Sequence, residues 1–354
     1  MSEQRGKHRS ERHSGIELLR MLAGMGVIIL HFNFVPSGGG ALESATGVNA
    51  AILMFLENLC ICAVNVFILV TGYFGSTAEK TKPGKLILLL LQTIVFQVLV
   101  QLGSAILNHN FSTIRLPDVL LPVNYYVILY VALMLLAPFI NKLLKQLSDK
   151  ALTRLTVLSF AVFSIWSSGA DVLQEITGNS YNGLNPVGLT GSLSGYSIVN
   201  FILVYLAGAW IRRNTEKLRK VPTGVLAALL LAAVALLWGW RKVLPATSWM
   251  YCNPLVIAEG VLLLLLFERM TFRSKIVNLM APASFTCFLI HEALLSRLDS
   301  TAIGQMQPLL FIVVLPAVVT GIYLVSFAVM LIWNGIIRLI FRDRLDRIPA
   351  ISAQ

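Results

Sequence analysis

Charged side chains are scarce in this sequence. Asp, Glu, Lys and Arg make up only 13% of the 354 residues, whereas a soluble domain usually carries about a quarter. A soluble globular protein is therefore excluded. Hydrophobic residues make up 56% of the chain and the mean hydropathy is +0.77, which is typical of an integral membrane protein.

Cysteine is also rare. The chain has four cysteines, Cys60, Cys62, Cys252 and Cys287, and all of them lie in or beside apolar runs. Their spacing fits neither a zinc site nor a disulfide framework. We expect them to be buried small apolar residues, and we expect no metal cofactor.

The common motifs of soluble catalysis are missing. The sequence contains no P-loop, no Gly-rich nucleotide fingerprint, no GxSxG and no HExxH. Nucleotide or hydrolase chemistry of the soluble type therefore has no support.

Long apolar runs are what the sequence does contain. Ten of them predict membrane-spanning helices, at about residues 15–33, 49–73, 86–107, 123–139, 155–168, 197–211, 224–240, 249–267, 276–295 (interrupted by Pro282) and 309–337. We therefore predict an all-α polytopic membrane protein. Its transmembrane domain covers residues 15–340, between a basic tail at 1–14 and a second tail at 341–354, and a long polar loop covers 169–195.

The positive charges are distributed unevenly between the loops. If the N-terminus is cytoplasmic, 23 of the 28 Lys and Arg residues lie on the cytoplasmic side, four lie outside, and Arg20 lies in the membrane. This asymmetry predicts ten spans with both termini cytoplasmic, in a cell (inner or plasma) membrane. Because the +11 charge lies between apolar spans, we expect no nucleic-acid partner. Cleavage of the first span as a signal peptide would leave nine spans, and the charges alone do not exclude it.

The first span carries two ionisable groups on one face. Arg20 and His31 are eleven residues apart, which is three helical turns plus about 20°, and they stand about 16 Å apart along the axis. Ionisable groups inside a bilayer are costly and need a partner, a watery cavity or a function. The pair therefore predicts a cavity with Arg20 near the cytoplasmic side and His31 in the outer half.

Other spans bring polar groups to the same region. His291 lies about 22 Å into the ninth span, so it can meet His31 at one level, whereas the neighbouring Glu292 should point about 100° away. We also expect Asn124, which opens the fourth span, and Glu259, near the middle of the eighth, to line the cavity and contact substrate.

These groups suit two classes of function. A neutral imidazole can take a proton from a hydroxyl during acyl transfer or attack the acyl carbon itself, and arginine suits the phosphates of a donor. This favours an acyltransferase with an intramembrane site. The alternative is a proton-coupled transporter or flippase for a glycan precursor, with a proton relay through His31, His291, Glu57 and Glu259.

Five segments of the chain, in order, resemble the membrane acyltransferase 3 family. They are Arg20-x10-His31, VNVFILVTGYF (64–74), NYYVILYVALMLLAPFINKLL (124–144), FILVYLAGAWIRR (201–213) and SFTCFLIHEALL (284–295). The resemblance covers about residues 14–340, and the ten spans fit a stand-alone member without a fused extracytoplasmic domain.

The resemblance implies an O-acyltransferase. Such an enzyme usually moves acetyl from acetyl-CoA to a hydroxyl of a cell-surface or secreted polysaccharide or a lipid-linked glycan. It implies that His31 is the catalytic base or acyl relay, that Arg20 positions His31 or the donor, and that His291 supports the site. The implied partners are the lipid bilayer and the glycan acceptor, whereas the oligomeric state stays unknown.

One departure from the family pattern concerns the donor site. Many members have Arg-x-x-Arg after the second span, where this chain has Lys82-Pro-Gly-Lys85. Lysine keeps the positive charge but loses the two-pronged hydrogen-bonding geometry of arginine. By the resemblance, Lys82 and Lys85 would contact the donor phosphates. Glu17, one turn before Arg20, would pair with it.

Overall fold

The computed structural model describes residues 13–34, 39–114, 117, 121–341 and 344–353. Residues 1–12 of the predicted basic tail are not among the described residues, nor is Arg115, one of the four Lys and Arg residues predicted on the outer side. The helices are α1 (Ser14–Asn33), α2 (Ala41–Ser44), α3 (Gly47–Cys60), α4 (Ala63–Gly75), α5 (Pro83–Leu107), α6 (Tyr125–Gln146), α7 (Asp149–Thr177), α8 (Ile198–Leu218), α9 (Thr223–Val243), α10 (Pro245–Ser248), α11 (Pro254–Glu268), α12 (Lys275–Met280), α13 (Ala283–Leu295), α14 (Ser300–Gly304) and α15 (Pro308–Phe341). Strands β1 (Lys80–Thr81) and β2 (Ile351–Ser352) pair antiparallel. The fold is therefore nearly all-α, as predicted.

Each predicted span is helical in the structure. By length and composition, seven stretches are long and apolar enough to cross a membrane, and they are α1, α3 with α4, α5, α6, α7, α9 and α15. The other three predicted spans correspond to α8, α11 and α13. The protein is multi-pass, whereas the count of ten, the orientation of the termini and the domain bounds stay predictions.

The sequence predicted a loop at 169–195, and the first third of that prediction was wrong. Helix α7 continues through a π-helical turn at Ala161–Trp166 and ends at Thr177. The polar residues that indicated a loop make specific contacts instead. Asp171 accepts hydrogen bonds from the Asn185 amide and the Ser192 N–H. Glu175 accepts from the N–H groups at the start of α10. The helix ends at Gly178, whose φ of +66° suits glycine.

The centre of the molecule is built around α4. Gly72 of α4 and Gly208 of α8 face each other so closely that a Cβ at either position would overlap the backbone of the other helix. Helix α1 packs against α3, α4, α11 and α13. Pro282 breaks the ninth span between α12 and α13, as predicted. This packing brings the polar face of α1 against α4 and α13.

Polar contacts stabilise the end of the molecule at which α1 begins. Arg219, just after α8, lies 2.6 Å from Glu268 at the end of α11. The hydrogen bond and charge of Glu268 hold the pKa of the Arg219 guanidinium above its usual range. Nearby, Lys142 donates to the carbonyl of Ala353, which holds the β2 segment against α6.

Candidate functional site

His31, His291 and Glu292 meet at one point between α1 and α13. Nε2 of His291 lies 3.0 Å from Nδ1 of His31, and Oε1 of Glu292 lies 2.7 Å from the same Nδ1. The predicted meeting of the two histidines is therefore present. The prediction that Glu292 points away was wrong. The Glu292 side chain reaches the His31 ring, which also contacts the preceding residue, His291.

The hydrogen bonds fix which nitrogen of each ring carries a proton. Nδ1 of His291 lies 2.9 Å from the carbonyl oxygen of Cys287, and a carbonyl can only accept, so this Nδ1 donates. In the neutral ring Nε2 of His291 is then an acceptor, and this nitrogen and the Glu292 carboxylate share the one Nδ1–H of His31. Neutral His31 is left with a lone pair on Nε2. That lone pair is what a base or an acyl acceptor requires.

The His31 ring lines a cavity of about 600 Å³, here called the His31 cavity. Its walls combine aliphatic residues with polar and aromatic ones, and the latter are Phe34, Thr93, Gln97, Gln101, Asn124, Tyr125, Ser194, Tyr196, Trp249, Tyr251, Phe288, His291 and Glu292. The amide oxygens of Gln97 and Gln101 are buried, and neither has a hydrogen-bond partner in the described part of the chain. Both residues line the cavity, whereas these two oxygens are themselves covered by protein atoms.

A second cavity, here called the Arg20 cavity, has a volume of about 550 Å³. It lies toward the end at which α1 begins, and its lining includes Arg20, Val27, Val64, Thr71, Phe74, Lys85, Tyr126, Tyr130, Ser284 and Phe288. Nη1 of Arg20 lies 3.1 Å from Glu17, which is the ion pair that the resemblance implied. Two cations, Arg20 and Lys85, thus face this cavity.

The two cavities adjoin. Helices α1, α4, α5, α6 and α13 contribute lining residues to both. Val27, Val64 and Phe288 line both cavities. An apolar layer therefore separates the two cations from the histidine pair.

The structure gathers most of the sequence-predicted site residues, whose roles stay predictions. Asn124 lines the His31 cavity and also caps α6, since its side chain accepts from the Val127 N–H. Lys82 is the residue before α5, and Lys85 rather than Lys82 is among the residues that line the Arg20 cavity. The carboxylate of Glu259 is fully buried, lines neither cavity, and has no hydrogen-bond partner in the described structure.

A supporting cluster next to His31 was missed by the sequence analysis. Glu57, which is fully buried, accepts from the Asn33 amide at 2.6 Å and lies 3.6 Å from Nη1 of Arg241. The Arg241 guanidinium stacks on Trp249, 4.2 Å from the ring centroid, and Trp249 lines the His31 cavity. From the sequence, Glu57 was considered only as a member of the alternative proton relay.

His31, His291 and Glu292 together offer two imidazoles and a carboxylate, which are common metal ligands. One ligand atom from each of His31, His291 and Glu292 lies within 4.8 Å of the others. His291 donates a hydrogen bond to the Cys287 carbonyl. Metal-bound histidines are commonly held in place by the same kind of hydrogen bond from the nitrogen that does not bind the metal. The sequence-based expectation of no metal therefore stays a prediction.

Comparison with known proteins agrees with this geometry. The family model for acyltransferase 3, described as an acyltransferase domain, matches residues 13–338. No curated protein and no solved structure matches the chain. The matched region includes both cavities and the histidine pair. The chain therefore belongs to the acyltransferase 3 family of membrane acyltransferases.

Proposed function

We propose that this acyltransferase moves an acetyl group from acetyl-CoA to a hydroxyl of a cell-surface polysaccharide or lipid-linked glycan. The enzyme would act in the inner or plasma membrane with both termini in the cytoplasm. One observation carries the proposal. His31, whose Nδ1 contacts His291 and Glu292, lines one cavity, and that cavity adjoins a second one lined by two cations.

The donor would enter the Arg20 cavity from the predicted cytoplasmic side. Arg20 and Lys85 both face this cavity, and the phosphates of coenzyme A are anionic. Glu17 holds the Arg20 guanidinium through Nη1 and leaves its other N–H groups for an anion or a thioester carbonyl. The charge of the cavity therefore suits this donor.

The acceptor would occupy the His31 cavity from the opposite side. The cavity is lined by the polar residues Thr93, Gln97 and Gln101, and a sugar ring carries hydroxyl groups that suit such a polar wall. Tyr125, Tyr196 and Trp249 offer flat apolar faces to the C–H faces of a sugar ring. Such a mixture of apolar walls and a few polar groups is common in binding sites for organic ligands.

The chemical step uses Nε2 of His31. In a direct transfer, Nε2 takes the proton of the acceptor hydroxyl, the new C–O bond forms, and the C–S bond of the thioester breaks. The departing thiolate then receives that proton, so the sulfur gains the proton that the oxygen loses. In a relay, Nε2 first forms a C–N bond with the acyl carbon while the C–S bond breaks and the thiolate leaves. In a second step the acceptor oxygen forms the C–O bond and the C–N bond breaks. The proton of the acceptor hydroxyl passes to the freed Nε2 and from there to the thiolate. Both routes need an unprotonated Nε2.

The negative charge of Glu292 suits either route. When Nε2 gains a proton or an acyl group, the His31 ring becomes positive, and the nearby carboxylate stabilises that charge. His291 holds the ring in place through the same Nδ1–H. Glu292 and His291 are therefore proposed as positioning residues for His31.

The test is acetyl transfer by the protein reconstituted in liposomes with labelled acetyl-CoA and surface glycan. We expect label on the glycan with wild-type protein and none with His31→Ala at equal amounts of inserted protein. His109→Ala changes an exposed histidine and serves as the matched control with normal transfer. Full transfer by His31→Ala would exclude the catalytic assignment.

The same liposomes separate the enzyme from the transporter alternative. Uptake of a glycan precursor driven by a pH gradient, with no transferred label, would favour a transporter. The structure offers this alternative little support. Glu259 of the supposed relay has no hydrogen-bond partner among the described residues, and Glu57 is engaged by Asn33 and Arg241.

A further inference from the structure

Three apolar side chains form the boundary between the two cavities. Val27 of α1, Val64 of α4 and Phe288 of α13 line the His31 cavity and the Arg20 cavity alike. Both valines are buried in the main core. We call these three residues the neck.

On α1 the neck interrupts a polar face. Val27 is seven residues after Arg20 and four before His31, so all three lie within about 20° of one line along the helix. Val27 stands about 10 Å from the Arg20 level and about 6 Å from the His31 level. A group that travels from the arginine to the histidine along this face must pass Val27.

On α13 the same order recurs. Ser284 lines the Arg20 cavity, His291 lines the His31 cavity, and Phe288 lines both. The Phe288 ring packs against Tyr126 with 5.1 Å between centroids and lies 6.3 Å from the His291 ring, nearly parallel to it. Two aromatic neighbours therefore hold the Phe288 ring at the boundary that Val27 and Val64 also line.

We propose that the neck sets the length of the acyl group that this enzyme transfers, admitting acetyl and discriminating against longer acyl chains. This inference rests on the proposed function, with the donor in the Arg20 cavity and the acceptor in the His31 cavity. The thioester carbonyl must reach Nε2 of His31, so the acyl group occupies the neck or the space directly beyond it. Each added methylene needs room between a phenyl ring and two branched side chains.

The expected discrimination is moderate. A single methylene in an apolar pocket typically changes kcat/KM by about 10- to 200-fold. Removing the Phe288 ring should make room for a longer acyl chain. The neck also carries no polar atom in its side chains, so it hinders water from passing between the cavities.

The experiment compares acetyl-CoA, propionyl-CoA and butyryl-CoA as donors for the reconstituted enzyme. We expect Phe288→Ala to raise the ratio of butyryl to acetyl kcat/KM by about tenfold or more. Val64→Ala should raise the propionyl to acetyl ratio by a smaller factor. The matched control is Val66→Ala, a buried valine on the same helix that lines neither cavity, and its donor ratios should equal those of the wild type.

A narrowing variant supplies the opposite test. Val64→Phe should lower transfer of propionyl and butyryl by a larger factor than transfer of acetyl, compared at equal amounts of folded, inserted protein. If Phe288→Ala does not fold, Phe288→Leu with Val64→Ala tests the same space. Unchanged donor ratios in widened variants that still transfer acetyl would overturn the neck proposal alone. Failure of wild-type protein to transfer any acyl group would instead contradict the proposed function.

Discussion

Oε1 of Glu292 lies 2.7 Å from Nδ1 of His31, the same atom that lies 3.0 Å from Nε2 of His291. The ring of His31 is thus held by two successive residues of α13. A carboxylate next to Nδ1 favours the tautomer with a free Nε2 and stabilises the ring when it becomes positive. This relationship makes Glu292 a positioning residue whose effect can be measured separately from substrate binding.

Glu292→Gln is expected to lower kcat by about 10- to 100-fold with little change in KM for acetyl-CoA. The amide still occupies the space but carries no charge to stabilise the imidazolium. Glu292 lines the His31 cavity and not the Arg20 cavity, so the donor site is unaffected. Steady-state kinetics checks this, with Glu43→Gln, an exposed glutamate, as control. A normal kcat for Glu292→Gln would remove the carboxylate from the mechanism.

Helical periodicity predicted part of this site and missed the rest for an identifiable reason. Arg20 and His31 could be placed on one face because both belong to one helix, and the depth of His291 followed from the helical rise. The contact with Glu292 depends on how α13 is rotated against α1, which periodicity within a single helix does not determine. The Glu57–Arg241 pair joins two helices far apart in sequence, so only the tertiary packing reveals it.

Arg241→Ala is expected to destabilise the protein by about 3 kcal/mol, because it leaves the carboxylate of Glu57 buried without a cation. The change should appear as a lower Tm in detergent micelles. The double variant Arg241→Met with Glu57→Gln removes both charges and should recover most of that loss. Lys242→Ala, at the neighbouring exposed position, serves as control. Equal Tm values for Arg241→Ala and wild type would show that the pair contributes little to stability.

Chelation is expected to leave acetyl transfer unchanged, while added Zn²⁺ should inhibit it. Nδ1 of His31 is held by His291 and Glu292 without a metal, whereas histidine nitrogens and a carboxylate within 4.8 Å of one another suit zinc. Bound zinc would replace the contacts of His31 with His291 and Glu292 that hold the ring. Activity after treatment with EDTA, and zinc binding followed by calorimetry, check both parts. Loss of activity with EDTA and its recovery with Zn²⁺ would instead make the cluster a catalytic metal site.

Lys85→Ala is expected to raise KM for acetyl-CoA by about tenfold, and Lys82→Ala by much less. Sequence resemblance treats the two lysines alike, but the structure places Lys85 in the lining of the Arg20 cavity beside Arg20, whereas Lys82 precedes the helix and lines neither cavity. One charge-assisted contact to a phosphate contributes about 1.5–3 kcal/mol, which corresponds to roughly a tenfold or larger change in affinity.

Lys85→Arg keeps the charge and adds a planar donor group, so it should bind the donor at least as tightly as the wild type. Donor titrations of the three variants at saturating acceptor give the comparison. An equal rise in KM for Lys82→Ala and Lys85→Ala would mean that the donor phosphates contact both lysines, and the donor would then extend beyond the Arg20 cavity along the start of α5.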